Sequence, residues 1–165
     1  MTKNKKVTYL GMGVALYVVL SYTVKIPLIN QIRTDFGYLV FGVFLYLFGM
    51  EGTIVGVLGC IISNLLYSGT FPIGWALGQL FIGILCGYIF RKTESTALRL
   101  VVGLISVFIG IGVIKTLVES FLFSLPLAAK FIRGIVASIA DAVPFLAGIL
   151  LSRRIESKVA IKNFK

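Results

Sequence analysis

The sequence predicts an all-α membrane protein: a six-transmembrane-helix bundle with both termini cytoplasmic, forming a single integral membrane domain over residues 1–165 of the plasma membrane. Three observations predict it. Hydrophobic residues make up 58% of the chain and charged residues only 13%, against about 25% charged in a soluble domain. The mean hydropathy is +1.02. The net charge of +10 gathers at the chain ends and in short loops, as orientation in a bilayer requires. Nucleic acid is not an expected partner, since no basic face with interleaved aromatics is present.

A span needs about 20 apolar residues, fewer if it is tilted inside a bundle. The first runs from about Val7 to Val24, and Lys25-Ile26-Pro27 ends it because the residue before a proline avoids helical geometry. No small-residue cleavage site follows, so it reads as a retained anchor. The second runs from about Phe36 to Gly49 and the third from about Thr53 to Tyr67, with GMEG at 49–52 as a tight turn between them. Both are short, since fifteen residues rise only about 23 Å. Ser68-Gly69-Thr70-Phe71-Pro72 stops the third and places Pro72 at the start of the fourth, about Pro72 to Phe90. RKTEST at 91–96 is a polar loop. The fifth runs from about Ala97 to Leu125, and the sixth from about Ala128 to Leu151 with a kink expected at Pro144. No internal repeat is visible.

An even number of spans puts both termini on one side. That side holds Lys3, Lys5, Lys6, Arg91, Lys92, Arg99, Arg153, Arg154, Lys158, Lys162 and Lys165. The other holds Lys25, Arg33, Lys130 and Arg133. The excess assigns the termini to the cytoplasm.

Polar residues inside apolar segments mark the candidate site. In VIKTLVESFLF, residues 113–123, Lys115 and Glu119 lie four apart and so share a helical face. With Gly112, Thr116 and Ser120 they form a continuous stripe opposite Val113, Ile114, Leu117 and Phe121. The sixth segment repeats this with Gly134, Ala137, Ser138 and Asp141, so that Asp141 faces the bundle at a depth similar to Lys115. Trp75 and Gln79 share a face of the fourth segment, while Asn64 and Tyr67 close the outer end of the third. A charge at the bilayer centre costs about 2.5–3.5 kcal/mol even on the mild insertion scale. Either Lys115 pairs with Glu119 or Asp141 as a brace, or these groups line a pocket open to the outside. The order Lys-before-Glu is the weaker one within a helix and favours partners beyond it. Trp75 and Tyr38 serve equally as pocket walls or interfacial anchors. The outer loop KIPLINQIRTD, residues 25–35, is long enough to cover a pocket, with Arg33 facing either solute or water. Gly11 and Ala15 form a small-residue face suited to close packing, within the bundle or on a partner.

Several chemistries are excluded or unexpected. The chain has no histidine, which removes imidazole ligands, relays and Ser–His hydrolysis. No GxxxxGK[ST], HExxH or GxSxG occurs, so no P-loop of its own is present and no enzyme activity is expected. Cys60 and Cys86 read as small buried residues, and no metal or cofactor is expected.

The stretches RTDFGYLVFGVFLYLFGMEGTIVGVLGCIISNLL and FPIGWALGQLFIGILCGYIF, with short second and third helices, resemble the substrate-binding S components of energy-coupling factor (ECF) vitamin transporters. Gly11 and Ala15 lie where that family has its AxxxA-like motif, with glycine in place of the first alanine. The resemblance implies capture of a vitamin or related heterocycle from outside. It implies docking through the first helix onto a membrane T component bound to two ATPase subunits, and toppling to release substrate inside. The residues expected to bind substrate are Lys115, Glu119, Trp75, Gln79, Asn64, Tyr67, Arg133, Asp141, Tyr38 and Arg33, with Gly11 and Ala15 at the partner interface. Folate-like, riboflavin-like, pyrimidine-like and queuosine-precursor ligands all suit these side chains. The alternatives are a self-sufficient small-solute facilitator and a membrane scaffold whose inner charges are structural.

Overall fold

A computed structural model describes residues 3–27, 33–124 and 126–158. Its α-helical segments are α1 (Lys3–Thr23), α2 (Gly37–Phe48), α3 (Thr53–Ser68), α4 (Ile73–Lys92), α5 (Thr96–Val107), α6 (Thr116–Phe123) and α7 (Leu127–Lys158). A 3-10 turn, Gly49–Gly52, joins α2 to α3, and a π-helical segment, Phe108–Lys115, joins α5 to α6. The described chain therefore has five continuous helical runs where the sequence suggests six separate helices. Four runs are long and apolar enough to cross a membrane: Gly37–Ser68, Ile73–Lys92, Thr96–Phe123 and Leu127–Glu156. The helix at the N-terminus is not among them, because Lys6 and the Ser21-Tyr22-Thr23 end dilute its apolar character.

The run from Gly37 to Ser68 folds back on itself. Gly49 sits at φ 61° and ψ −135°, a positive-φ conformation outside the left-handed helical region that glycine adopts readily and L-residues do not. Past the turn, a Cβ on Gly52 would lie 2.5 Å from the Phe44 carbonyl oxygen, so α3 returns along α2 with no room for a side chain. Gly49→Ala is expected to lower stability by about 1–2 kcal/mol, read as a drop in the melting midpoint of the purified protein. Gly69, at φ 68°, ends α3 with its N–H on the Leu65 carbonyl at 3.0 Å. Pro72 then caps α4 as expected.

The core forms where α2 lies on α7. A Cβ on Gly42 would strike the Phe145 carbonyl, and one on Gly148 the Leu39 carbonyl, so the two backbones touch at both points. Tyr17, Tyr38, Phe41, Leu45, Phe145 and Ile149 are fully buried around this crossing. Buried hydroxyls turn back on their own helices, as apolar surroundings demand: Ser106 donates to Val102 O at 2.6 Å and Ser152 to Gly148 O at 2.9 Å. The helix α7 continues unbroken through Pro144.

Charges cluster at opposite ends of the bundle. One end joins the start of α1, the α2–α3 turn and the end of α4 through Lys6–Glu51 at 2.5 Å and Arg91–Glu51 at 3.6 Å. There Arg99 also ties the end of α4, donating to Thr93 O at 2.8 Å and Phe90 O at 3.0 Å and stacking on Tyr46. At the other end lies the short hairpin of β1 (Lys25–Pro27) and β2 (Arg33–Asp35), antiparallel with Ile26 opposite Thr34. The tip of the outer loop expected as a cover, residues 28–32, lies outside the described residues.

Candidate functional site

A cavity of about 580 Å³ opens at the hairpin end. Its wall is assembled from the ends of many elements: Ser21 of α1, Thr34 and Asp35 of β2, Cys60, Ser63, Asn64 and Tyr67 of α3, and Trp75 of α4. Lys115, Glu119, Lys130, Arg133, Ala137 and Asp141 complete it from the π-helical segment, α6 and α7. Small residues set this convergence. Gly78 of α4 and Gly110 of the π-helical segment meet backbone to backbone, since a Cβ on Gly78 would stand 2.5 Å from Gly110 O. One turn outward, a Cβ on Gly74 would touch Glu119 Cγ at 3.0 Å and Lys115 O at 3.1 Å. This close crossing seats the Lys115 ammonium over the Trp75 ring, 4.6 Å from its centroid. Gly134 similarly lets α7 approach Thr116.

The charged wall has one carboxylate shared by two ammoniums. Lys115 Nζ lies 3.2 Å from Glu119 Oε2, and Lys130 Nζ donates to the same oxygen at 3.0 Å. Glu119 thus has both its helical neighbour and a partner on α7, which agrees with the weak Lys-before-Glu order. The Lys115 side chain is only 9% exposed and that of Glu119 13%. π-helical turns inside α-helices recur at functional sites, and here one ends at Lys115 itself.

The floor is built differently. The Asp35 N–H donates to Asp141 Oδ1 at 3.0 Å, while Ser21 donates to Asp35 Oδ2 at 3.0 Å. Asp35 Oδ1 accepts the Gly37 N–H at 2.8 Å, which fixes the hairpin on the start of α2. Asp141 is 1% exposed, and its Oδ2 has no hydrogen-bond partner among the described residues. Asn64 donates to Cys60 O at 2.9 Å along its own helix.

Of the residues expected from sequence, the cavity brings together Asn64, Tyr67, Trp75, Lys115, Glu119, Arg133 and Asp141. Gln79 and Tyr38 do not line it. Gln79 is one turn deeper than Trp75 and buried, where its Nε2 donates to Tyr17 OH at 2.7 Å. Tyr38 is fully buried in the core. The backbone of Arg33 lies in β2, and its side chain lies outside the described residues. Gly11 and Ala15 lie on the exposed face of α1, and nothing stands within 4 Å of a Cβ built on Gly11. Sequence reasoning missed Ser21, Asp35 and Lys130. Asp35 and Lys130 sit next to helix ends, where a charge reads as ordinary loop polarity. Nothing local marks them as facing inward.

An apolar helical bundle with a polar cavity at one end defines a membrane-embedded solute-binding protein. The chain belongs to the family of ECF-type riboflavin transporter S components, which matches residues 1–156. It is thus the substrate-binding subunit of an ECF-type transporter, an integral membrane transport protein and not an enzyme. A UPF0397 protein of Lactococcus lactis subsp. cremoris strain NZ9000 is 28% identical over 160 residues, covering 89% of this chain and 87% of that protein. A UPF0397 protein of Streptococcus agalactiae serotype Ia is 24% identical over 155 residues, covering 87% and 85%. The fold is shared with the crystal structure of the S-component for biotin from an ECF-type ABC transporter, at a TM-score of 0.68 and 20% identity over 95% of both chains.

Proposed function

We propose that the protein captures a vitamin or related flat nitrogen heterocycle from outside the cell in the cavity floored by Asp141, and delivers it inward by toppling on a T component driven by two ATPase subunits. The observation that carries this is Asp141 itself: a buried carboxylate lining a cavity, with one oxygen held and the other unpartnered. A buried acceptor without a donor costs about 1–3 kcal/mol, which a ring N–H or amine of the substrate recovers. Trp75 offers a ring to stack on, and Asn64, Lys115, Glu119 and Arg133 offer polar contacts. Riboflavin and biotin, named for the family and for the structural neighbour, are the first ligands to try.

In this proposal the hairpin α2–α3 counts as two membrane segments, because it reverses at Gly49, and the crossings number six. The basic end with Lys6, Arg91 and Arg99 is then cytoplasmic together with both termini. The exposed Gly11–Ala15 face of α1 docks the T component. Purification from native membranes in mild detergent, with mass spectrometry of everything retained, tests the whole. A larger membrane subunit, two ATPases and a bound heterocycle are expected, and a lone protein under conditions that preserve other membrane complexes overturns it. Gly11→Leu is expected to leave folding and substrate binding intact while the T component is lost from the preparation. Retention of the T component by that variant refutes docking through this face.

A further inference from the structure

The cavity is electrically divided along its length, and one helix measures the division. Lys130, Arg133, Ala137 and Asp141 all line the cavity from α7. At about 1.5 Å rise per residue, Arg133 stands about 12 Å and Lys130 about 16 Å from Asp141 along the helix axis. The outer end carries Lys130, and Lys115 reaches the same group: both ammoniums contact Glu119 Oε2, their one carboxylate contact within 4 Å among the described residues. Two ammoniums present six N–H donors between them. One oxygen cannot satisfy them, and it neutralises one of the two charges. The inner end carries Asp141, whose Oδ2 needs a donor, backed by Asp35 through its N–H. Lys115 is 7% exposed, so water gives it little compensation.

We propose that the substrate is an elongated, dipolar heterocycle: a ring with an N–H or amino donor on Asp141, and an acidic group, carboxylate or phosphate, on Lys115 and Lys130. This rests on the function proposed above and narrows it, since with a neutral vitamin Glu119 is the one carboxylate beside the two ammoniums, with only the Trp75 ring added under Lys115. Charge-assisted hydrogen bonds from an ammonium to a carboxylate or phosphate are about twice as strong as neutral ones, and a buried site strengthens them. The acidic group joins Glu119 around the two ammoniums. Lys130 stands off from Asp141 by a distance that α7 sets, so the site selects by length as well as by charge.

The test is isothermal titration calorimetry of the full chain in lipid nanodiscs against matched pairs that differ only in the acid. The pairs are riboflavin 5′-phosphate with riboflavin, biotin with biotin amide, and pteroic acid with its amide. In the pair whose ring is accepted, the acidic member is expected to bind at least tenfold tighter. Lys130→Gln, at a side chain 23% exposed, is expected to bring that ratio near one, and Lys130→Arg to preserve it. Asp141→Asn is expected to weaken both members alike and leave the ratio unchanged, because it acts at the ring end. Equal or tighter binding of the neutral member overturns the acidic substrate and leaves the heterocycle-binding function standing. A ratio that survives Lys130→Gln but falls with Asp141→Asn overturns the assigned orientation. Binding of no member of any pair overturns the acidic substrate and the function beneath it together.

Discussion

Lys115→Met is expected to lower substrate affinity by about 10- to 100-fold while the protein still folds and reaches the membrane. A hydrogen bond from a charged group contributes about 1.5–3 kcal/mol, and each 1.4 kcal/mol is tenfold in affinity. The fold survives because Glu119 keeps Lys130 at 3.0 Å, and the thioether chain still packs on Trp75. Glu119→Gln is expected to do more harm to the fold. It leaves the ammoniums of Lys115 and Lys130 beside each other without their shared carboxylate, and breaking a buried pair on one side costs about 3 kcal/mol. Calorimetric affinity and the thermal midpoint by size-exclusion, measured on both variants, separate the two effects. If Lys115→Met melts as early as Glu119→Gln while its folded fraction binds substrate normally, Lys115 is a brace between helices and not part of the binding site.

The second large effect concerns backbone contact. Gly78→Leu is expected to abolish the folded bundle, leaving aggregated protein at the void of a sizing column. Its Cβ would stand 2.5 Å from Gly110 O and 3.1 Å from Gly110 C, and neither atom can rotate away. The facing position is equally closed, since a Cβ on Gly110 would meet Gly78 O at 2.7 Å. Separating α4 from the π-helical segment would also lift Trp75 from Lys115. Overpacking of a flexible neighbour costs about 1–3 kcal/mol, and a rigid backbone cannot offer even that relief. A monodisperse Gly78→Leu protein with an unchanged melting midpoint would show that the crossing is loose, and that the cavity does not depend on it.

Much of the bundle was legible in the residues. The stripe Gly112, Lys115, Thr116, Glu119 and Ser120 points inward as its spacing requires, and Val113, Leu117 and Phe121 on the opposite face are exposed. The stripe Gly134, Ala137, Ser138 and Asp141 is buried on the facing helix. Period and polarity suffice there, because a charge in apolar surroundings has few places to go. Other features were not legible. The spacing of Trp75 and Gln79 puts both on one face, yet only Trp75 reaches the cavity, since Tyr17 arrives from α1 to cover Gln79. Nothing in the spacing of α4 encodes the arrival of α1. The π-helical segment was equally hidden, because FIGIGVIK reads as ordinary apolar helix until Gly110 is pressed against Gly78.

The sequence by itself determined a membrane-embedded helical chain, most of the breaks between its helices and the inward faces that carry Lys115 and Asp141. These depend on local quantities: hydropathy, helical period, and the geometry of glycine and proline. Only the tertiary structure decided which charges share a partner. Glu119 meets Lys130 across a hairpin, and Asp35 meets Asp141 from more than a hundred positions away. Such pairs arise where helix ends converge, whether they are neighbours in the chain or far apart. That convergence is set by how closely glycine-lined backbones approach, which is a property of two helices at once.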